Sequence, residues 1–276
     1  MASSTNNVKL GVCKVFFDGV DLGYTQGGVE FMSATETHKV EIDQFGKTAI
    51  KETIIGRSCS VKVPLAETTL LNLASLFPVN PNNAQFGAGL VGTTKQRVGI
   101  DAGVGVDLLS TAKVLVIHPY ALLDSDYSDE IVIPLANTPG ALTFAYKLEE
   151  ERIFNVDYTG YPDPISGMLF FAGNPFPDAA GKTFAVTAIA GATSLTGTGF
   201  GASQAASTVH GKLAILGAGD NAATTNAPGY PFRKGYYVKW VSATTIQLYL
   251  DAALTQPGPA VGAGGIVGPV NLAILG

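Results

Sequence analysis

Residues 12–31 read VCKVFFDGVDLGYTQGGVEF, residues 37–63 THKVEIDQFGKTAIKETIIGRSCSVKV, and residues 64–77 PLAETTLLNLASLF. The first stretch predicts a strand over 8–17 that ends at Asp18-Gly19, a dipeptide of the tight hairpin type. The second alternates polar and apolar residues over 37–42 and 48–55 around Phe45-Gly46-Lys47. That period of two predicts a long hairpin with one wet face, and 58–63 continues the pattern. In the third, Pro64 stands at an expected helix start, Leu70, Leu73, Ala74 and Phe77 recur at helical spacing, and Pro78 stops the run. Strands and one short amphipathic helix are therefore expected, with no catalytic constellation along the stretch.

Working outward, further strands are expected at 112–117, 130–135, and 141–148 continuing through 152–158. Residues 79–105 are rich in Asn, Gly and Ala and read as loop; a loop of that length in a compact domain is usually functional or disordered. Downstream, 236–241 and 244–250 read as two strands, and LAILG occurs at 213–217 and again at 272–276, which suggests two equivalent core strands.

Charge divides the chain. Residues 1–165 hold 12 basic and 19 acidic side chains, whereas 166–276 hold 5 and 3. The change falls between Tyr161-Pro-Asp-Pro and Gly173-Asn-Pro-Phe-Pro-Asp, both turn chemistry, and predicts a boundary near 163–178 with few contacts crossing it. Only 14% of the 276 residues are charged and mean hydropathy is +0.26, so little polar surface is left to cover a lone subunit, and part of its surface is expected to meet partners. Thr183–Gly211 and Ala252–Gly276 lack Asp, Glu, Lys and Arg, but Gly, Thr, Ser and Pro interrupt both, which excludes a spanning helix of about 20 apolar residues. The opening MASSTNNVKL has no signal-peptide pattern, so a cytoplasmic product is expected. Cys13 and Cys59 form no metal-ligand spacing and read as buried free thiols.

Candidate chemical motifs are weak. Gly87-Ala-Gly89-Leu-Val-Gly92 has the spelling of a dinucleotide loop, yet Thr93-Thr94-Lys95-Gln96 follows where a helix should begin, so a plain loop is expected. Asp124, Asp126, Asp129 and Glu130 crowd one turn without the glycine and terminal glutamate of a calcium loop, and read as a solvated acidic loop. His38, His118 and His210 have no ligand-spaced neighbours, no GxSxG elbow occurs, and Glu149-Glu150-Glu151 reads as solvation. No catalytic residue, cofactor site or metal site is assigned, and the protein is expected not to be an enzyme. The chain is acidic, with Arg233-Lys234 its only basic cluster, which argues against tight nucleic-acid binding.

Taken in order, Asp18-Gly19…Leu22-Gly23-x-Thr25-Gln26-Gly27-Gly28-Val29-Glu30-Phe31, Asp43-Gln44-x-Gly46-x-Thr48, Pro64-Leu65-Ala66-Glu67, Leu115-Val116-Ile117-His118-Pro119 and Glu151-Arg152…Val156…Tyr158…Pro162-Asp163 resemble phage major tail tube proteins over roughly residues 8–165. Residues 235–250, GYYVKWVSATTIQLYL, resemble a small β-module appended to phage virion proteins. The resemblance implies a mainly β fold, a β-sandwich or open barrel with one flanking helix over 1–165, plus a small all-β decoration domain over 166–276. It also implies a virion structural role in the tail, assembled in the host cytoplasm. Subunits would form hexameric rings that stack into a tube, join other tail proteins such as the tape measure and the tail terminator, and let viral DNA pass without tight binding. The wet hairpin face, with Lys39, Glu41 and Asp43, is then expected to line the lumen. Two alternatives stay open: another virion component such as a baseplate or decoration protein, and a carbohydrate-binding or hydrolytic β-protein.

Overall fold

Strands account for nearly all regular structure among the described residues. The computed structural model describes residues 8–9, 11–77, 90–91, 97–100, 104–149, 151–175, 183–188, 191–197, 200, 209–217, 232–260 and 266–275. The fold is mainly β, built from a curled open sheet and a closed barrel.

The sheet begins with β1 (Cys13–Phe17), which turns into β2 (Val20–Asp21). Asp18 and Gly19 both take positive φ, 51° and 77°, as a two-residue hairpin turn of this hand requires. β1 is shorter than the expected 8–17. Next come β3 (Glu30–Glu41) and β4 (Ala49–Leu65), joined through a 3-10 turn at Asp43–Phe45. β4 is one strand of 17 residues where two were expected, and bulges between Glu36 and Thr37 and between Val40 and Glu41 keep the pair in register. Pro64 does not open a helix. It lies within β4 because Val61, Val63 and Leu65 alternate into the core, and this packing outweighs the proline's preference for a first helical turn. The helix α1 (Leu70–Ser75) starts later, where the Thr69 side chain accepts a hydrogen bond from Asn72 N.

A two-residue ladder, β5 (Leu90–Val91) and β6 (Arg97–Val98), is the strand structure described within the expected loop 79–105; most of that loop lies outside the described residues. The sheet is completed by β7 (Lys113–Pro119), β8 (Ile131–Asn137), β9 (Phe154–Tyr161) and β10 (Phe171–Ala172). The strand order is β2-β1-β7-β8-β9-β4-β3, with β10 also on β8. The strand expected over 141–148 is absent. Only Thr143 bridges to Asn155, and Tyr146 and Leu148 are 80% and 100% exposed, so alternation there has no sheet face to bury. β10 carries the sheet beyond residue 165, since Phe171 pairs with Val132 and Leu169 and Phe170 pack on the sheet core.

The barrel contains β11 (Thr183–Ala188), β12 (Leu195–Gly197), β13 (Leu213–Gly217), β14 (Gly235–Ser242), β15 (Thr245–Tyr249) and β16 (Ile266–Ile274), closed in the order β11-β12-β15-β14-β13-β16. Closure leaves no free edge strand. The two LAILG copies are antiparallel neighbours, with Ile215 opposite Ala273 and Leu216 opposite Leu272, all four buried.

Two cores result, and one of them crosses the expected boundary. Val15, Leu22, Val61, Val63, Leu115, Ile133 and Tyr158 form the core on one side of the sheet. On its other side Val114, Val116, Val132 and Leu135 join the barrel residues Leu213, Leu216, Phe232 and Tyr236 in a single cluster. The expected sparse crossing contacts are thus replaced by a shared apolar core. Its cause is visible in β7 and β8, which are buried on both faces.

Candidate assembly surface

The hairpin of β3 and β4 outruns the rest of the sheet. Among the described residues β9 pairs with β4 only from Cys59 to Leu65, so beyond Cys59 the two strands form a free arm. From Met32 to Lys39 on β3 and from Ala49 to Ile55 on β4, every residue is exposed, on both faces of the ribbon. Ile54 and Ile55 keep 51% and 65% of their surface in solvent. The ribbon is held by its ladder, by a Thr37 hydroxyl that donates to Glu52 at 2.6 Å, and by an exposed Lys62–Glu30 pair at 3.7 Å. Of the expected lumen residues, Lys39 and Glu41 lie two apart on β3 and share a face. Asp43 departs from that strand and sits in the 3-10 turn at the tip, where its carbonyl accepts from Gly46 N.

At the junction of sheet and barrel lies a group that the sequence left scattered. Arg233 donates from Nε and from one terminal nitrogen to Glu130 Oε1, at 2.8 and 2.6 Å, and from that same nitrogen to the Asp124 carbonyl at 2.7 Å. His118 Nδ1 lies 2.8 Å from the same Glu130 oxygen. Glu130 and His118 are completely buried, and the guanidinium stacks over Phe16 and Tyr127, with its carbon 4.8 and 4.9 Å from the ring centroids. Arg233 takes a positive φ of 61°, an uncommon backbone state for a non-glycine residue, held here by these contacts. Next to it, Lys234 pairs with Asp18 at 3.1 Å, and a Cβ on Gly235 would stand 2.7 Å from Val114 Cγ2, so barrel backbone touches sheet side chain directly. Phe232, Arg233, Lys234 and Gly235 together dock the barrel.

The expected solvated acidic loop holds for Asp124 and Asp129, whose side chains keep 44% and 41% of their surface in solvent, and is corrected at Glu130. Glu130 is sealed in the junction, Asp124 is paired with Lys14 at 2.7 Å, Asp129 with Lys9 at 2.7 Å, and Asp126 accepts from Ser128 N. The Lys14 ammonium holds the Asp124 carboxyl below its usual range, with Arg233 and His118 adding to the effect. Hydrogen bonds from Ser128 do the same for Asp126. His118 was missed as a partner of Glu130 and Arg233 because 115 residues separate it from Arg233. The one signal was Arg233-Lys234, a basic pair in an otherwise nearly uncharged segment.

Cys13 and Cys59 are both free; Cys59 is buried, Cys13 only half so, and burial raises both thiols. The glycine triplet of 87–92 lies almost wholly outside the described residues. Arg152 stacks against Phe144, Tyr146 and Phe154 and donates to Thr68, tying the irregular 141–148 segment back to the loop before α1. Among the described residues no helix is long and apolar enough to cross a membrane, and no group of three or more His, Cys, Asp and Glu side chains could hold a metal ion. Neither the known protein families nor the curated proteins include a match to this chain.

Proposed function

We propose that this chain is a virion structural protein, the self-assembling subunit of a phage tail tube. Subunits form rings, taken from the resemblance as hexameric, and the rings stack into a conduit for DNA. The observation that carries the reading is the arm. An isolated two-stranded ribbon is marginal in water, and a long open edge bearing Met32, Ile54 and Ile55 is a template for association. A second copy that covers the arm removes both liabilities at once.

The charges suit a conduit. The face shared by Lys39 and Glu41 also carries Glu52, which stands opposite Lys39 in the ladder, and Asp43 lies at the tip. With a net charge of −5, the protein presents DNA with weak repulsion rather than an adhesive surface. The tape measure and tail terminator are the tail partners that this role brings. The barrel, closed and without free edges, faces outward.

The test is sedimentation of the purified full chain over a range of concentrations, alone and with its tail partners. The reading predicts a concentration-dependent shift from monomer to large particles. A single monomeric species throughout would overturn it.

A further inference from the structure

Among the described residues the molecule carries an unpartnered arm on β3 and β4 and two adjoining hollows, the smaller beside β1 and β2 and the larger where β1 and β7 face the start of β3. The smaller hollow, about 420 Å³, is walled by Lys14, Asp21, Tyr24, Glu67 and Tyr120. Tyr24 and Tyr120 are 73% and 56% exposed. Lys14 is already engaged by Asp124. Asp21 Oδ1 accepts from Gly23 N and Glu67 Oε1 from Tyr24 N, so each carboxylate has used one oxygen on local backbone. Lys14 already stands over the Tyr120 ring, its Nζ 5.6 Å from the centroid, so the Tyr24 ring and the two half-used carboxylates are the chemistry that receives a further cationic side chain. The larger hollow, about 600 Å³, shares Val12 and Cys13 with the first and is lined mainly by apolar groups, among them Val29, Phe31, Ile117 and Ile131. It suits aliphatic side chains.

One face of the arm offers both chemistries. His38 stands opposite Thr53 and Val40 opposite Lys51; these four carry a cation and apolar surface, and Glu36, two residues before His38 on β3, is the carboxylate at the base of the same face. The other face, where Lys39 stands opposite Glu52 and Glu41 follows, is the acidic one. An arm does not reach the hollows of its own copy. Phe31 lines the larger hollow and β3 then runs away from it, so Glu41 lies about 33 Å further on at roughly 3.3 Å per residue.

We propose that the His38, Val40, Lys51 and Thr53 face of one copy's arm docks into the hollows of the next copy, with Lys51 between Asp21 and Glu67. Arm and hollows are different surfaces of one chain, so the contact is head-to-tail and propagates into a ring or a filament. The acidic face then turns away from the joint, which agrees with its place toward the lumen. The inference rests on the self-assembly reading and names the joint.

Cys13 provides the test, since it sits in the wall shared by the hollows and the only other cysteine, Cys59, is buried. Full chains bearing Thr53→Cys or Lys51→Cys on the docking face, or Lys39→Cys or Glu52→Cys on the opposite face, are treated with a short bismaleimide under conditions where the unsubstituted chain assembles. Thr53→Cys keeps Lys51 and so preserves the joint. The expected result is covalent dimers from the Thr53 variant that vanish when Cys13→Ser is added, fewer from the Lys51 variant, which lacks the seated cation, and none from the opposite face. Particles that assemble yet cross-link to Cys13 from neither face, or equally from both, overturn the docking and leave the assembly reading standing. An unsubstituted chain that never assembles overturns both.

Discussion

Replacing Arg233 by methionine removes the guanidinium that gives Glu130 Oε1 two hydrogen bonds, at 2.8 and 2.6 Å, and the Asp124 carbonyl a third. Glu130 has no exposed surface, so its carboxylate is left without its principal counter-charge. Breaking a buried pair from one side typically costs about 3–5 kcal/mol, because the stranded charge retains its desolvation penalty. Methionine keeps much of the apolar contact with Phe16 and Tyr127, which isolates the charge effect from a cavity. At roughly 2–4 °C per kcal/mol for a domain of this size class, the melting temperature of R233M should fall by on the order of 10 °C. The control is the double variant R233M/E130M, in which no charge is stranded; apolar replacement of a whole buried pair is often neutral. It should recover most of the loss, as read by circular dichroism melting. R233M within about 0.5 kcal/mol of the unsubstituted chain, or a double variant no better than the single, would refute the account of the junction.

Four further outcomes follow from the same structure. Truncation after Ser166 uncovers Val114, Val116, Val132 and Leu135 and deletes β10, so the shortened chain should bind a dye specific for exposed apolar surface strongly; a soluble fragment that ignores the dye would show that the sheet is self-sufficient. Gly235→Ala should cost about 1–3 kcal/mol through overpacking against Val114, with an unchanged denaturant midpoint as the contrary result. The Asp124 carboxyl is held low by Lys14, so its contribution is intact above the ordinary carboxylate value near pH ~4 and is lost as the pH falls through its lower folded value. Asp124→Asn should therefore differ from the parent at neutral pH and converge with it in acid, and a gap that stays constant down to acid pH would contradict this. Glu41→Lys with Asp43→Lys should leave folding within about 0.5 kcal/mol and impair DNA passage, and normal infectivity of phage carrying both would remove these residues from the lumen.

Much of the sheet was legible in the residues. The Asp18-Gly19 turn and the hairpin over 37–55 follow from short-range sterics and a period of two, and both stand in the structure, but the single wet face expected of that hairpin does not, since both faces of the ribbon are exposed. Where the local signal was strong but the tertiary context different, the reading slipped. Pro64 favours a helix start in isolation, yet its neighbours Val63 and Leu65 are pulled into the core and keep the chain extended. The 141–148 alternation resembles a strand, but no sheet face awaits it. The junction was the least legible part, because His118, Glu130 and Arg233 meet through long-range folding and no spacing rule joins them. A clue did exist in β7 and β8, whose unbroken apolar runs rather than alternation mark strands covered on both faces. Of the candidate assembly surface, the hairpin's existence was readable, but its protrusion past β9 depends on where the partner strand stops.

The central claim, that this chain is a subunit that builds a hollow tube through its arm, meets its most direct test in negative-stain electron microscopy. Purified full chain, alone or with its tail partners, is compared with a chain in which residues 36–55 are replaced by a short Asn-Gly turn. The account predicts hollow filaments of constant diameter from the full chain and only dispersed particles from the armless one. Filaments from both, or from neither, would contradict it.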